Sequence, residues 1–401
     1  MIQRLHPYWP SMGLGITQIM GYGTLYYAYA VLLPHMADDL GMSLSGAFGI
    51  LSLSLLFGGA MAPIAGHLVD RFGGRYVMTI GSLVGGLALL AFAGVSGRTS
   101  LFLVVLVTEA AGMCVLYNVA FASIVRLESP LRPATMISII TLFGGVASTI
   151  FWPVTLALYN ALDWRDTWLV LGVAYLVISV PIHYFALSGK ETDPQDAAKN
   201  VQKDWPLLDG SDRRRGMLWM VISFTFSGFL MGAVMTLWVT NVQDLGHSAA
   251  LAAVAGAVIG PFKTVGRMLE MVFSRNLHPL MTYILALGLT MSGFCTILAV
   301  GFSVPGVIIG AALYGMGDGI KTIARGILPL ALFGAKGYGA RLGWIATLSM
   351  SVNAAAPFTF ALITEHFGGW VSFAAMAAIL AVSILAFFFI PDPRRHAHAT
   401  A

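Results

Sequence analysis

The sequence predicts an all-α membrane protein, with twelve transmembrane helices in two pseudo-symmetric six-helix bundles. Three observations predict it. Of 401 residues, 58% are hydrophobic and only 10% are Asp, Glu, Lys or Arg, against about 25% charged in soluble domains. A soluble fold of this composition would expose more contiguous apolar surface than water tolerates. The charges are also spaced so that uncharged runs match the roughly 20 residues a helix needs to cross hydrocarbon. Finally, short segments of the first half recur in the second at nearly one offset.

The spans fall near 12–34, 44–66, 76–95, 101–125, 134–158, 167–187, 217–240, 249–273, 279–300, 304–333, 342–363 and 370–390. The uncharged run 276–317 holds two of them, separated by a Pro/Gly turn at Gly301–Gly306. The first is too long, and wrongly flanked, for a cleaved signal peptide and is read as helix 1. The one long polar stretch, 189–216, reads as a cytoplasmic linker. It divides an N-terminal bundle, 1–188, from a C-terminal bundle, 217–392, which is followed by a cytoplasmic tail, 393–401. The repeat supports the division. Asp39-Leu40-Gly41-Met42-Ser43 returns as Asp244-Leu245-Gly246-His247-Ser248, offset by 205. Pro153-Val154-Thr155-Leu156-Ala157-Leu158 returns as Pro357-Phe358-Thr359-Phe360-Ala361-Leu362, offset by 204, and Trp164 and Trp370 follow them. Parallel six-helix repeats place a substrate site at the midplane between the halves.

With the N-terminus inside, 16 of the 22 lysines and arginines fall in inner loops and only Arg98 and Arg165 in outer ones. That bias places both termini in the cytoplasm. The lean loops and Ala/Gly-rich composition suit a bacterial inner membrane. The formal charge of +4 is therefore topology rather than nucleic-acid binding, since no basic stripe with interleaved aromatics exists. Cys114 and Cys295 both lie inside spans and suggest neither a disulfide nor a metal site. The nine histidines are scattered over span ends and tails. No cofactor, metal cluster or clustered nucleophile is expected, which argues against an enzyme.

Between spans 2 and 3 the chain reads Gly66-His67-Leu68-Val69-Asp70-Arg71-Phe72-Gly73-Gly74-Arg75. Small Gly66 allows close helix approach. Asp70 offers a carboxylate to neighbouring helix ends, Gly73 permits the tight turn, and Arg71 and Arg75 hold the cytoplasmic side. This run resembles the Gly-x-x-x-Asp-Arg-x-Gly-x-Arg signature of the major facilitator superfamily. The resemblance implies a gate latch that favours the outward-open state; the alternative is a topology determinant alone. The corresponding second-half loop, Met271 to Arg275, lacks the pattern. Leu116-Tyr117-Asn118 leading to Arg126, and Asp163-Trp164-Arg165, are similar to runs in the branch of monocarboxylate porters and oxalate/formate exchangers. Two departures set this chain apart. Span 1 carries no lysine, and Lys263-Thr264-Val265-Gly266-Arg267 puts a lysine where that branch has an acid.

A charge at mid-bilayer costs roughly 2.5–3.5 kcal/mol on insertion scales, so each needs a partner, a cavity or a function. Span 4 carries Glu109, span 8 Lys263, Arg267 and Glu270, and span 10 Asp318, Lys321 and Arg325. Each triplet shares one helix face and is expected to pair partly within its own helix. These charges either pin helices together or serve an aqueous path. The family resemblance implies the path, because helices 1, 4, 7 and 10 line its cavity. A carboxyl held away from water can change charge near neutral pH, the property proton coupling requires; Glu109 and Asp318 are the candidates. Lys263 and Arg267 would attract an anion. Gln18, Tyr22, Tyr26 and Tyr29 form one stripe on span 1, read as cavity lining with Gln18, Tyr22 and Tyr26 against substrate; an interhelix seam or an interface belt is the alternative. Ser227, Met231, Met235 and Trp238 form a similar stripe on span 7. Gly315-Met316-Gly317-Asp318-Gly319 lies inside a span, so it is no phosphate cradle; its glycines loosen span 10 or pack it closely.

The expected function is secondary active transport by alternating access. The expected partners are a small-molecule substrate, protons or a counter-solute, and the lipid bilayer, with no nucleic acid. The substrate expected is a small organic or inorganic acid; export of a toxic or drug-like compound is the alternative.

Overall fold

The computed structural model describes residues 7–191, 206–273 and 277–394. The expected linker over 192–205, the tail from 395 and Arg275 lie outside the described residues. The chain divides into two compact units. One holds the first half together with Ala335–Thr347, and the other holds the rest of the second half. No strand forms among the described residues; one antiparallel bridge joins Leu127 and Glu191.

In the first unit, α1 (Trp9–Tyr22) runs through a π-helical turn, Gly23–Tyr27, into α2 (Ala28–Asp39) as segment 1. α3 (Leu44–Phe72) and α4 (Gly74–Ala91) follow as segments 2 and 3. Segment 4 is α5 (Arg98–Met113) and α6 (Tyr117–Val125), and segment 5 is α7 (Pro133–Gly144) and α8 (Ala147–Ala161). α9 (Trp164–Ala186) is segment 6. In the second half, α10 (Gly210–Asp244), α11 (Ala249–Phe273), α12 (Pro279–Val300) and α13 (Val304–Phe333) are segments 7 to 10. α14 (Tyr338–Asn353) begins segment 11, and α15 (Ala356–Phe388) completes it and forms segment 12. The backbone leaves helical geometry inside α15 at Gly368, φ 82°. The loop expected between spans 11 and 12 thus shrinks to one glycine in the left-handed region, which a side chain would strain.

Nine helices among the described residues are long and apolar enough to cross a membrane by themselves. The three segments that fall short are informative. Segment 1 is interrupted by its π-turn, α11 carries Lys263, Arg267 and Glu270, and α14 has only 16 residues. All twelve segments of the expected architecture are present; segments 1, 4 and 5 are broken, and segments 8 and 10 carry three charged residues each.

The repeat has a visible cause. Gly41 and Gly246 both take positive φ, 62° and 95°, and each lets the chain turn just past a helix C-terminus. The acids before them have diverged. Asp39 accepts from the Trp164 indole at 3.2 Å and from the Arg165 guanidinium at 2.7 Å; the hydrogen bond from Arg165 holds its carboxyl below the usual carboxylate range. Asp244 instead accepts the Gly369 backbone N–H at 3.1 Å.

Two sets of buried polar side chains bond across helices, which offsets the cost of their burial. His183 on α9 joins Ser82 of α4 at 2.6 Å and Thr17 of α1 at 2.8 Å. In the second unit, Ser223 of α10 meets Tyr283 of α12 at 3.0 Å and Ser383 of α15 at 3.0 Å.

Candidate functional site

The residues singled out from sequence fall into three groups. The first surrounds Gln18, Tyr22, Tyr26 and Glu109. Gln18 is fully buried, and its Nε2 donates to the Val115 carbonyl at 2.9 Å. Val115 lies in the break between α5 and α6, so the amide satisfies an acceptor that the interrupted helix leaves free. Its Oε1 has no hydrogen-bond partner among the described residues. Tyr22 packs on Tyr117 with centroids 4.7 Å apart. Tyr26 is 47% exposed and lies edge-on to Tyr27 at 5.2 Å; Tyr27 in turn meets Trp152 at 5.8 Å.

Tyr29 does not continue the stripe. It is 1% exposed and packs between Phe92 and Trp168. The cause is the π-turn. Its wider i→i+5 hydrogen bonding inserts an extra residue, rotating everything after Tyr27 so that position 29 points into the core. Gly23, at the start of that turn, lies against the Phe151 ring where any Cβ would collide.

Glu109 on α5 is 4% exposed, and its Oε1 has no hydrogen-bond partner among the described residues. Its Cβ lies against Gly58 of α3, where a Cβ on the glycine would be 3.4 Å away. A buried carboxyl oxygen without a donor is an exception that needs a bound proton, water or ion to explain it.

The second group lies wholly in the other unit. Asp318 of α13 is bracketed by two ammonium groups. Lys263 of α11 reaches Oδ2 at 2.8 Å, and Lys321, one turn along α13, reaches Oδ1 at 3.2 Å. Asp318 and Lys321 form the pair expected within one helix, and Lys263 adds a pair across helices. Glycines permit this. A Cβ on Gly319 would strike the Lys263 backbone, one on Gly315 the Ile259 carbonyl, and one on Gly266 the Met316 backbone. α11 and α13 are therefore in backbone contact beside Asp318, and the glycine run packs a continuous helix rather than loosening it. Lys321 Nζ also donates to the Ser227 carbonyl at 3.4 Å. Arg267 and Glu270 are both buried on α11. The span 7 stripe divides: Ser227 and Trp238 are buried, whereas Met231 and Met235 are exposed.

The third group is the loop between α3 and α4, with Ala335–Thr347 in the same unit. Asp70 accepts the backbone N–H groups of Gly339 at 3.2 Å and Ala340 at 3.0 Å. Its carboxylate thereby fills orphan donors in the first turn of α14. Gly66 faces the Gly339 carbonyl where no Cβ fits. Gly73 has φ 80° and ends α3; a Cβ there would meet the Glu191 carboxylate. Arg126 connects the parts, donating to the Asp70 carbonyl at 2.7 Å and pairing with Glu191 at 3.0 Å. Arg75 stacks over the Tyr184 ring at 3.9 Å, and exposed Arg71 lies 5.1 Å from the Phe72 centroid.

Sequence reasoning missed Tyr27, Trp152 and Glu191. It gave Tyr117 no role in the site, although the Leu116-Tyr117-Asn118 run had drawn attention to that position. It paired Lys263 within its own helix and did not place it on Asp318. Among the described residues no group of His, Cys, Asp and Glu is arranged to hold a metal ion.

The family model described as Major Facilitator Superfamily matches residues 15–320. Among solved structures, the chain is similar to the human organic anion transporter MFSD10 (TETRAN), with TM-score 0.70, 17% identity, and 97% of this chain and 99% of that one covered. It is similar to the transporter FucP in the outward conformation, with TM-score 0.74, 14% identity and coverage of 96% and 100%. The proton:xylose symporter XylE bound to 6-bromo-6-deoxy-D-glucose gives TM-score 0.67, 14% identity and coverage of 96% and 94%. At these identities the likeness is one of fold. No curated protein matches the chain in sequence.

Proposed function

Since the chain belongs to the Major Facilitator Superfamily and is a membrane transporter rather than an enzyme, we propose that it is a proton-coupled carrier of a small organic or inorganic acid. The observation that carries this reading is the Lys263–Asp318–Lys321 cluster. Two ammonium groups from two helices converge on one carboxylate, at 2.8 and 3.2 Å. A buried excess of positive charge is costly in hydrocarbon unless an anion answers it. In this reading Lys263 and Lys321 receive the anion, with Arg267 beside them. Glu109 carries the coupled proton, because its Oε1 lacks a donor. Asp318 is the weaker candidate for that role, since both its oxygens are already held by ammonium groups. Gln18, Tyr22 and Tyr26 are the substrate contacts proposed for the first unit, through one amide oxygen and aromatic faces. Asp70, with Gly66, Arg71, Gly73 and Arg75, latches the cytoplasmic side as the two halves alternate between inward- and outward-open states, in a bacterial inner membrane with both termini inside.

Uptake into proteoliposomes under an imposed pH gradient, across a panel of monocarboxylates and inorganic anions, tests the reading. Accumulation of at least one acid, collapsing with a protonophore, is expected. Failure of every acid, together with gradient-driven efflux of an uncharged compound, would reject it.

That second outcome belongs to the alternative reading, export of a toxic or drug-like molecule. The ring cluster of Tyr22, Tyr26, Tyr27, Tyr117 and Trp152 favours it, because aromatic faces accept amphiphilic compounds without demanding charge.

A further inference from the structure

We propose that Asp318 is a resident stand-in for the substrate's own charged group, and that the charge count of its cluster sets the carrier for monoanions against dianions. The inference rests on the acid-transport reading and goes beyond it by fixing the charge of the acid.

The geometry is that of a clamped carboxylate. Each oxygen of Asp318 takes one ammonium, Oδ2 from Lys263 and Oδ1 from Lys321. The lysines stand on different helices, so the clamp is not a local helical pair. Both amines have little freedom to retreat. Their side chains are 15% and 8% exposed, and α11 and α13 are in backbone contact at Gly319, Gly315 and Gly266. Lys321 is further tied to the Ser227 carbonyl and lies 5.9 Å from the Tyr314 ring centroid. An arriving carboxylate therefore meets two amines spaced for a carboxylate, with Asp318 as its competitor.

The count is two positive charges against one negative. That count covers the three groups in direct contact; Arg267 and Glu270 stand further along α11, and half-buried Arg325 lies one turn beyond Lys321 on α13. A monoanion brings the clamp to neutrality, whereas a dianion overshoots by one charge where water cannot screen it. Replacing Asp318 with a neutral isostere leaves two uncompensated amines, a site for a dianion. Removing one lysine leaves a self-neutralised pair with no call for an anion. Removing both one lysine and Asp318 restores a single positive charge.

The test measures binding and proteoliposome exchange on the full chain, using pairs of equal carbon number such as butanoate against butanedioate and pentanoate against pentanedioate. Gel filtration and thermal unfolding verify that each variant is folded. The wild type is expected to prefer the monoanion of each pair by about tenfold or more, the scale on which a like-charge mismatch acts. Asp318→Asn should reverse the preference, Lys263→Met should lose both ligands, and Lys263→Met/Asp318→Asn should regain the monoanion. If Asp318→Asn fails to fold, the wild-type preference and the comparison of Lys263→Met with the double variant still decide. The inference is overturned if the wild type prefers dianions, if Asp318→Asn keeps the wild-type preference, or if the double variant binds no better than Lys263→Met. A folded wild type that binds no acid of either charge overturns the acid-transport reading, and this inference with it.

Discussion

Asp70→Asn is the substitution whose effect the structure sizes most directly. The Asp70 carboxylate accepts two backbone N–H groups, from Gly339 and Ala340, each a charge-assisted bond at the positive end of α14. Asparagine keeps one oxygen for one amide but turns its NH2 towards the other, leaving that donor unsatisfied. A hydrogen bond to a charged group is worth about 1.5–3 kcal/mol, so losing one should cost about 2 kcal/mol, or roughly a 30-fold shift in the local equilibrium. Hydrogen exchange followed by mass spectrometry reads this locally. Peptides covering 335–347 should exchange about 30-fold faster in the variant, while peptides of α4 and α9 remain unchanged. Gly66→Ala should have the same signature by a different cause, because a methyl group would overlap the Gly339 carbonyl. Unchanged exchange over 335–347 in folded Asp70→Asn would refute the assignment of this contact as a latch.

Two further predictions concern the second unit. Burial, and then the Arg394 cation, pull the His278 imidazole down to about 4, and its Nδ1 accepts the Leu280 N–H at 3.1 Å as the cap of α12. The depressed value means the unfolded chain binds the proton more readily, so this contribution is full above pH 6.5 and is lost as pH falls towards 4. The melting temperature should fall across that window in wild type and much less in His278→Asn, which keeps a capping acceptor; an equal fall in both would contradict it. Gly319→Ala would press a Cβ against the Lys263 backbone. Overpacking of this kind costs about 1–3 kcal/mol and should weaken anion binding by displacing Lys263 from Asp318. Unimpaired binding by a destabilised but folded variant would show that the clamp does not depend on this contact.

The twelve segments were legible because insertion into lipid depends on composition and charge spacing, which a single sequence displays in full. The turn at Gly73 was equally visible, since a positive φ selects glycine, whereas Gly41 and Gly246 stood out only as matching positions of the repeat. What escaped was everything set by an irregularity or by a partner helix. The run Gly23-Thr24-Leu25-Tyr26-Tyr27 has no feature that distinguishes a π-turn from a continuous helix, yet that one residue of extra winding takes Tyr29 out of the stripe and into the core. The break at Cys114–Leu116, which gives Gln18 its acceptor, is likewise a tertiary choice in an apolar run. The periodicity of α11 finds Arg267 and Glu270 as same-face neighbours of Lys263 but is silent on Asp318, whose helix meets α11 only because Gly266, Gly315 and Gly319 remove the side chains between them. Those glycines stood in the sequence beside the charges, and small residues flanking buried charges were the signal that could have paired the two helices.

The central claim is that Glu109 carries the proton that drives acid movement, and Glu109→Gln separates coupling from transport. In proteoliposomes loaded with an acid substrate, the account predicts that the variant still exchanges labelled for unlabelled substrate across the membrane. It should fail to accumulate the acid when an inward proton gradient is imposed. Undiminished proton-driven accumulation by Glu109→Gln would contradict the account.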